Sequence, residues 1–395
     1  MKIAIQFGAG SIGRGFLGQL FSQSGYETVF IEMREEIVAR LNRTHSYKLE
    51  IAGKHPRGII VKKVRAVNAT DTERIKEEIE KADVMATAVG ADNLSLVASM
   101  VAKGMVTRAD RRIEEPLNLI ICENLPQAST VFKNCLLREV DAEYHKYFDS
   151  HLGLVKAVVS RMVPLVSPQL QRKDPTFIMA EEYSILPVDK KGFKGKIPLI
   201  KGMIPCENLF AYEEQKLFIH NTGHTICAHL GYLKGYRYIW QAIEDRRIFR
   251  IVKGALRETG RALIKKHNFS PQDQQAYIKD ILGRFTNQAL GDTVVRVGRD
   301  PIRKLGPQER LTGAARLAYQ YGVIPENISR GIAAALLFDR EEDKEAKKLT
   351  KMRREEGIDT VLRRVCQINP EENLAILIKK NLKELDNESG CFKGD

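Results

Sequence analysis

The stretch from Lys2 to Glu32 constrains the fold more than any other part of the chain. Ile3-Ala4-Ile5-Gln6-Phe7 is an apolar run of buried-strand length. It passes directly into Gly8-Ala9-Gly10-Ser11-Ile12-Gly13-Arg14-Gly15. Phe16, Leu17, Leu20 and Phe21 then recur at helical spacing, and Thr28 to Ile31 forms a second apolar strand ending on Glu32. Glycines at this spacing are weak evidence alone, but strand, loop, helix, strand and terminal acid in this order specify a βαβ unit that takes a dinucleotide. Gly8 permits the tight turn, Gly10 lets the backbone approach the pyrophosphate, and Gly13 lets helix and strand pack closely. Ala9, Ser11 and Ile12 complete a loop whose backbone faces the phosphates at the positive end of the helix. Glu32 can accept hydrogen bonds from the adenine ribose and would repel a 2′-phosphate, so NAD is expected. Arg34 keeps NADP open as the alternative.

The alternation continues downstream. Glu35 to Leu41 and Asp71 to Ile79 read as helices, with Tyr47 to Ile51 and Gly58 to Val61 as an inserted hairpin. Asp83 to Val89 and Leu117 to Cys122 read as strands, with Leu94 to Val106 as a helix between them. Ligands of open parallel sheets lie beyond the carboxyl ends of the strands. Gly90 and Asn124 occupy two such ends and are candidate cofactor contacts, with ordinary turn chemistry as the competing reading. Leu154 to Val163 reads as a late strand, and Glu181 to Asp189 alternates as a strand would. The fold class expected is α/β: a Rossmann-type parallel-sheet domain over residues 1–200, then a mostly α-helical domain over 201–395.

Composition narrows the function classes. A chain of 395 residues with 43% apolar content has room for two cores. No apolar run reaches the ~20 residues that span a bilayer, and no signal-peptide pattern opens the chain, so a cytoplasmic protein with no membrane partner is expected. Six scattered cysteines (Cys122, Cys135, Cys206, Cys227, Cys366, Cys391) lack the paired spacing of a disulfide framework or zinc knuckle. Lys and Arg outnumber Asp and Glu by 63 to 50, a formal charge of +13. No recognition helix or basic-aromatic interleaving accompanies it, so anionic small molecules are the expected partners rather than nucleic acid.

Lys216, Asn221 and His224 stand within nine residues of a helical pattern. At about 100° per residue, Lys216, His224 and Asn221 fall near 0°, 80° and 140°, so one helix face can aim all three at one volume. An amine of lowered pKa can accept a proton, and an amide and an imidazole can hold an oxygen as its charge changes. Ordinary polar residues on a half-exposed helix would give the same pattern. Cys227 and His229 lie close by but are too few for a metal site, and no metal is expected. Farther on, Asp292 to Leu305 carries Arg296, Arg299, Arg303 and Lys304 around Gly298 and Pro301, which suits a loop. Arg299, Arg303 and Lys304 could grip a phosphate, or could tie structural elements together. Asp339 to Glu356 mixes acids and bases as a solvated helix does.

These motifs together resemble the polyol-specific long-chain dehydrogenase/reductase family, the mannitol dehydrogenases. The resemblance rests on Phe7 to Gly15, on Lys216-x4-Asn221-x2-His224, and on Gly231 to Trp240. Arg284-Phe-x-Asn287 and Asp292 to Pro301 add to it, and it spans nearly the whole chain. The run Arg299-Asp300-Pro301-Ile302-Arg303-Lys304-Leu305 looks like the sugar-phosphate branch. The resemblance implies a cleft between two domains, no metal, and Lys216 as acid/base with Asn221 and His224 holding the reacting oxygen. It implies reversible, NAD-dependent oxidation of D-mannitol 1-phosphate to D-fructose 6-phosphate by a monomer. Relatives acting on free mannitol, fructuronate or tagaturonate, and a non-catalytic NAD-binding regulator, are the alternatives. One segment departs: Glu181-Glu182-Tyr183-Ser184-Ile185-Leu186-Pro187 stands where the family pattern is Glu-x-Phe-x-Glu-Trp, which bears on the choice of substrate.

Overall fold

The computed structural model describes residues 1–125 and 127–390. Cys391 lies outside the described residues, and the other five cysteines are free thiols. The chain divides into two compact units, Met1–Leu209 and a second beginning at Phe210. No helix among the described residues is long and apolar enough to cross a membrane.

The first unit is built on six strands: β1 (Ile3–Phe7), β2 (Glu27–Glu32), β5 (Val64–Asn68), β6 (Val84–Thr87), β7 (Leu117–Ile121) and β8 (Leu152–Lys156). They run in the order β5-β2-β1-β6-β7-β8, every neighbouring pair parallel. β6 and β7 are buried on both faces, which is why they read as mostly apolar runs, with Asn118 of β7 bonded to the Lys194 main chain. Alternate residues serve opposite faces. Ile5, Phe7, Met85, Leu119 and Ile121 pack with the helices Thr72–Lys81, Leu94–Asp110 and Ala128–Leu137. Ala4, Val84, Ala86, Ile120 and Val155 pack on the other side with Phe16, Leu17, Leu20 and Phe21.

From β1 the chain winds outward to β2 and β5, then returns to start β6 on the other flank of β1. The crevice beyond the ends of β1 and β6 is therefore the topological switch point. Gly8 sits there at φ +86°, where a Cβ would lie 2.7 Å from the Ala88 carbonyl oxygen.

The inserted hairpin is β3 (Ser46–Ile51) and β4 (Arg57–Lys62), paired antiparallel; Ile178–Ala180 joins β3 as a third, parallel strand. Three expectations change here. The late strand stops at Lys156 rather than running to Val163, because Val158 turns its N–H to Pro187 and the chain leaves the main sheet. Of Glu181 to Asp189 only Leu186–Asp189 is strand, and its partner is Met203–Cys206. The edge strand β5 and the helices Ala128–Leu137 and Ala142–His151 were not foreseen.

The second unit contains helices and no strand among the described residues, with one isolated bridge between Tyr238 and Thr293. Its core gathers Ile219, Ile226, Cys227, Val252, Leu256, Ile328 and Ile332, all 0% exposed. They come from the helices Thr222–Leu233, Arg246–His267 and Glu326–Leu336 and from the turn preceding the first of these. Glu258, buried on the long central helix, accepts hydrogen bonds from the N–H groups of Asn327 and Ile328 and so caps the start of Glu326–Leu336. The charge-mixed region contains the helix Lys344–Glu355, anchored by buried Ala346 and Leu349 and capped by Asp343.

Candidate functional site

Two groups of polar residues carry the candidate chemistry, one in each unit. In the first unit the three loop glycines are in different circumstances. A Cβ at Gly13 would lie 2.0 Å from the Gly8 carbonyl oxygen, so this glycine is demanded by packing. At Gly10 nothing lies within 4 Å of the same position. Its missing side chain leaves open space beside the start of a helix, the shape a pyrophosphate needs. Ala9 is fully buried and Ser11 is exposed. Ile12 packs against the core beneath the helix.

Glu32 ends β2 with its carboxylate turned to this loop. It accepts from the Ala9 N–H at 3.0 Å and from the Met33 and Arg34 N–H groups at 3.0 and 3.1 Å. The Arg34 guanidinium pairs with it at 3.1 Å. Burial would raise its pKa, but the hydrogen bonds and charge of Arg34 outweigh burial and lower it. Arg34 is thus occupied by Glu32, which bears on how it could meet a phosphorylated ribose. Arg14 clamps the other side of the same residue: its Nε donates to the Ala9 carbonyl at 2.5 Å, and its Nη1 to the Pro175 carbonyl at 2.8 Å. Burial lowers its pKa to about 10. Nothing in the sequence reading gave Arg14 a role; its place directly after the third glycine was the available signal.

Gly90 follows the end of β6 at φ +87° with open space around its Cβ position. Buried Glu123 holds that end in place, accepting from Thr87 Oγ1 at 2.5 Å and from the Val89 N–H at 3.0 Å. Asn124 is exposed just beyond it.

In the second unit the helix Leu209–Gln215 enters a π turn, Lys216–Asn221, and continues as Thr222–Leu233. The π turn alters the angular reading made from the sequence. Its i→i+5 bonding brings residues four and five apart close to vertical alignment. Asn221 therefore lies nearer in angle to Lys216 than a regular α-helix would put it. Thr222 fastens the turn, donating its hydroxyl to the Arg310 carbonyl at 2.6 Å and the Leu217 carbonyl at 3.1 Å.

Lys216 keeps partial solvent access, yet its amine is enclosed by protein. Desolvation, then the charges of Arg310 and Arg284, lower its pKa from 10.5 to about 8, against an opposing pull from Glu213. One turn on, His220 is buried with its ring centroid 6.0 Å from that of His224 and 5.9 Å from that of Phe285. Burial holds His220 well below its ordinary value, so it is neutral. His224 stacks on Phe285 at 5.0 Å and 15°, and its Nε2 lies 3.3 Å from Asp292 Oδ2. Burial would raise the Asp292 pKa, but bonding from His224 and Arg296 overrides it and keeps the carboxyl low.

The basic segment is not the loop expected. Val294–Gly298 and Pro301–Lys304 are short helices joined through Arg299 and a left-handed Asp300 at φ +61°. Thr293 caps the first, and Pro301 occupies the first turn of the second, where it lacks no needed N–H. Arg299 and Arg303 are exposed, with Arg303 paired to Asp300 and Glu309. Lys304 is only 4% exposed, and burial with the charges of Arg310 and Arg303 lowers its pKa to about 7. The Leu311 N–H bonds to the Lys304 carbonyl, and the Arg310 carbonyl takes Thr222. The Thr222 bond thereby brings Arg310 to the turn that carries Lys216. Arg310, Arg284 and Asp292 are the residues that sequence reasoning left without a role, though the last two stood in quoted motifs. The segment Glu181 to Pro187 lies in the first unit, where the Glu181 carboxylate accepts the Met162 N–H at 2.5 Å and its carbonyl accepts Arg161 Nε at 2.8 Å.

The mannitol dehydrogenase Rossmann-domain model matches residues 2–202, and the mannitol dehydrogenase C-terminal-domain model matches residues 208–386. Similar curated proteins include a mannitol-1-phosphate 5-dehydrogenase of Geobacillus stearothermophilus, 37% identical over 97% of this chain and 100% of that one. Another of the same name, from Buchnera aphidicola subsp. Acyrthosiphon pisum (strain APS), is 35% identical over 96% of this chain and 98% of its own. Among solved structures, a substrate-free D-sorbitol dehydrogenase aligns with a TM-score of 0.79 at 16% identity, covering 97% of this chain and 92% of that one. The Pseudomonas fluorescens mannitol 2-dehydrogenase ternary complex with NAD and D-mannitol aligns at 0.70 and 17%, covering 98% and 92%. At those identities the structural likeness speaks to the fold alone.

Proposed function

The chain belongs to the mannitol dehydrogenase family of oxidoreductases, and on that premise we propose that it oxidises D-mannitol 1-phosphate reversibly to D-fructose 6-phosphate with NAD. The first domain, 1–200, holds the cofactor through Gly8, Ala9, Gly10, Ser11, Ile12 and Gly13, with Glu32 on the adenine ribose and Gly90 and Asn124 toward the nicotinamide. The second, 201–395, holds the sugar phosphate and carries the proton chemistry. The open volume at Gly10 and the carboxylate at the end of β2 fit a dinucleotide whose ribose lacks a 2′-phosphate. When bound, NAD supplies the acceptor for the hydride that leaves the carbinol carbon.

The observation that carries the reading is the enclosed Lys216 amine with its pKa lowered to about 8, on one helix with Asn221 and His224. Neutral Lys216 removes the hydroxyl proton while Asn221 and His224 hold the oxygen as it becomes a carbonyl. In the reverse direction the ammonium of Lys216 returns that proton. No step calls for a metal. Arg310, adjoining the same turn, buried Lys304, and Arg303 and Arg299 at the surface supply the cations that a phosphate monoester needs.

The test is NADH consumption, followed by absorbance, with fructose 6-phosphate, fructose, fructuronate and tagaturonate, repeated with NADPH. The reading expects turnover with fructose 6-phosphate and NADH at far higher kcat/KM than any other pair. Preference for an unphosphorylated substrate would transfer the assignment to another branch of the family. No turnover with any of them would favour a dinucleotide-binding regulator.

A further inference from the structure

Among the groups around the catalytic turn, the carboxylate of Asp292 has no part in the mechanism above. Asp292 has 14% of its side chain exposed, and its Oδ2 lies 3.3 Å from Nε2 of His224. Its other oxygen, Oδ1, is taken by the guanidinium of Arg296, one helical turn on. The main chain around it is tied down on both sides. The Ile239 N–H bonds to the Asp292 carbonyl at 2.9 Å, and the Val294 N–H bonds to the Arg237 carbonyl at 3.0 Å. Tyr238 and Thr293 form a bridge between the same two segments. The carboxylate is therefore a fixed point rather than a mobile surface acid. The ring it meets is fixed as well, because Phe285 stacks on His224 at 5.0 Å and 15°.

An ionised carboxylate can only accept hydrogen bonds. The contact at Nε2 therefore requires the proton on that nitrogen, and a neutral ring then has an unprotonated Nδ1. We infer that Asp292 is the positioning residue of His224, fixing its orientation and its Nε2–H tautomer so that Nδ1 accepts a hydrogen bond from a hydroxyl of the polyol. The inference rests on the proposed site and narrows one role in it: with Nδ1 an acceptor, His224 holds the polyol through a hydroxyl, and the developing carbonyl oxygen is left to Asn221. Lys216 takes the proton of the reacting hydroxyl, Asn221 donates to the developing carbonyl oxygen, and Nδ1 of His224 receives a hydroxyl. Arg296 competes for the same carboxylate and keeps it ionised, which secures its acceptor role. An orienting carboxylate of this kind acts on catalysis only through the imidazole it holds.

That last property supplies the test. Asp292→Ala, His224→Ala and the double variant are compared in NADH-dependent reduction of fructose 6-phosphate, with thermal melting and NADH binding as controls for folding. Asp292→Ala is expected to lower kcat/KM roughly 10- to 100-fold, the usual effect of removing an orienting partner. In the His224→Ala background the same substitution is expected to change it less than about 2-fold, because the group it acts through is gone. Asp292→Asn, equal in shape, takes the place of the alanine variant if that one does not fold, with the same expected loss of additivity.

Independently of turnover, long-range ¹H–¹⁵N spectra of the eight histidines, with His224 identified by its substitution, report the tautomer. Wild type is expected to show His224 protonated at Nε2, and Asp292→Ala to lose that preference. Losses that multiply in the double variant, or an Nδ1–H tautomer in wild type, would overturn the inference while leaving the lysine mechanism standing. Near-normal turnover of His224→Ala would overturn this inference together with the proposed role of His224.

Discussion

The pH dependence of the two reaction directions tests the proton chemistry most directly. Lys216 has its pKa lowered from 10.5 to about 8. At pH 7 a group of pKa 10.5 is neutral in about one molecule in three thousand, and one of pKa 8 in about one in eleven. The enclosure of this amine therefore multiplies the base-competent population roughly 300-fold. The sign follows from the roles. Oxidation needs the neutral amine, so its kcat/KM rises with pH and levels off above about 8. Reduction needs the ammonium, so its rate is level below about 8 and falls above it.

Burial contributes most to the lowering and Arg310 next. Arg310→Met, which keeps the enclosure and removes the charge, should move both inflections to higher pH. Lys216→Ala should remove the inflection and cost on the order of 10² to 10⁴ in turnover, with NADH binding intact. The assay is stopped-flow NADH absorbance between pH 6 and 10, using deuterated NADH to establish that hydride transfer limits the rate. Flat profiles in both directions, under conditions where deuterium slows the reaction, would refute the assignment of the proton to Lys216.

Three further outcomes are expected. Gly10→Ala should melt at the wild-type temperature but bind NADH at least about 10-fold more weakly, whereas Gly13→Ala should lose thermal stability, because only the second meets the Gly8 carbonyl. Unchanged NADH binding by Gly10→Ala would show that the space at Gly10 is not a phosphate site. Glu32→Ala should shift the ratio of kcat/KM values from NADH toward NADPH, since the paired Arg34 is released to meet a 2′-phosphate; an unchanged ratio would remove Glu32 from the ribose. Arg303→Glu and Lys304→Met should each raise the KM for fructose 6-phosphate by roughly 10-fold or more while leaving that for NADH nearly unchanged. Parallel changes in both constants would assign these residues a structural task.

Legibility in the sequence followed the range of the forces involved. The βαβ start was readable because its signals fall in one short stretch of chain: an apolar run, three glycines and an acid at the end of the next strand. Buried strands such as Val84–Thr87 were readable as continuous apolar runs for the same reason. The strand at Val64–Asn68 was missed because an edge position tolerates polar residues, and Arg65 and Asn68 interrupt the pattern. The overlong strand toward Val163 failed because Val158 and Val159 have the right propensity but pairing beyond Lys156 is redirected to Pro187. Around Lys216 the three polar groups were legible from spacing. Arg310 was not, since nothing but the tertiary bond from Thr222 brings it to that turn. Asp292 was printed in a motif, but its contact with a histidine 68 positions earlier is a property of the fold.

The π turn at Lys216–Asn221 also bears on the phase of the helix. A π turn is an α-helix that has absorbed one surplus residue, taken up locally without breaking the rod. Winding the same residues as ordinary α-helix would keep the segment helical. It would also rotate everything on one side against the other by about 100°. Thr222 is bonded to Arg310, His224 faces Asp292, and the following turns are packed into the core, so the later half cannot rotate. The rotation would fall on the earlier half and swing Lys216 away from the imidazole and amide that the proposed mechanism pairs with it. The spacing between the lysine and the asparagine is thus a phase setting. A helix wound regularly throughout would keep all three of these side chains and would lose their common direction.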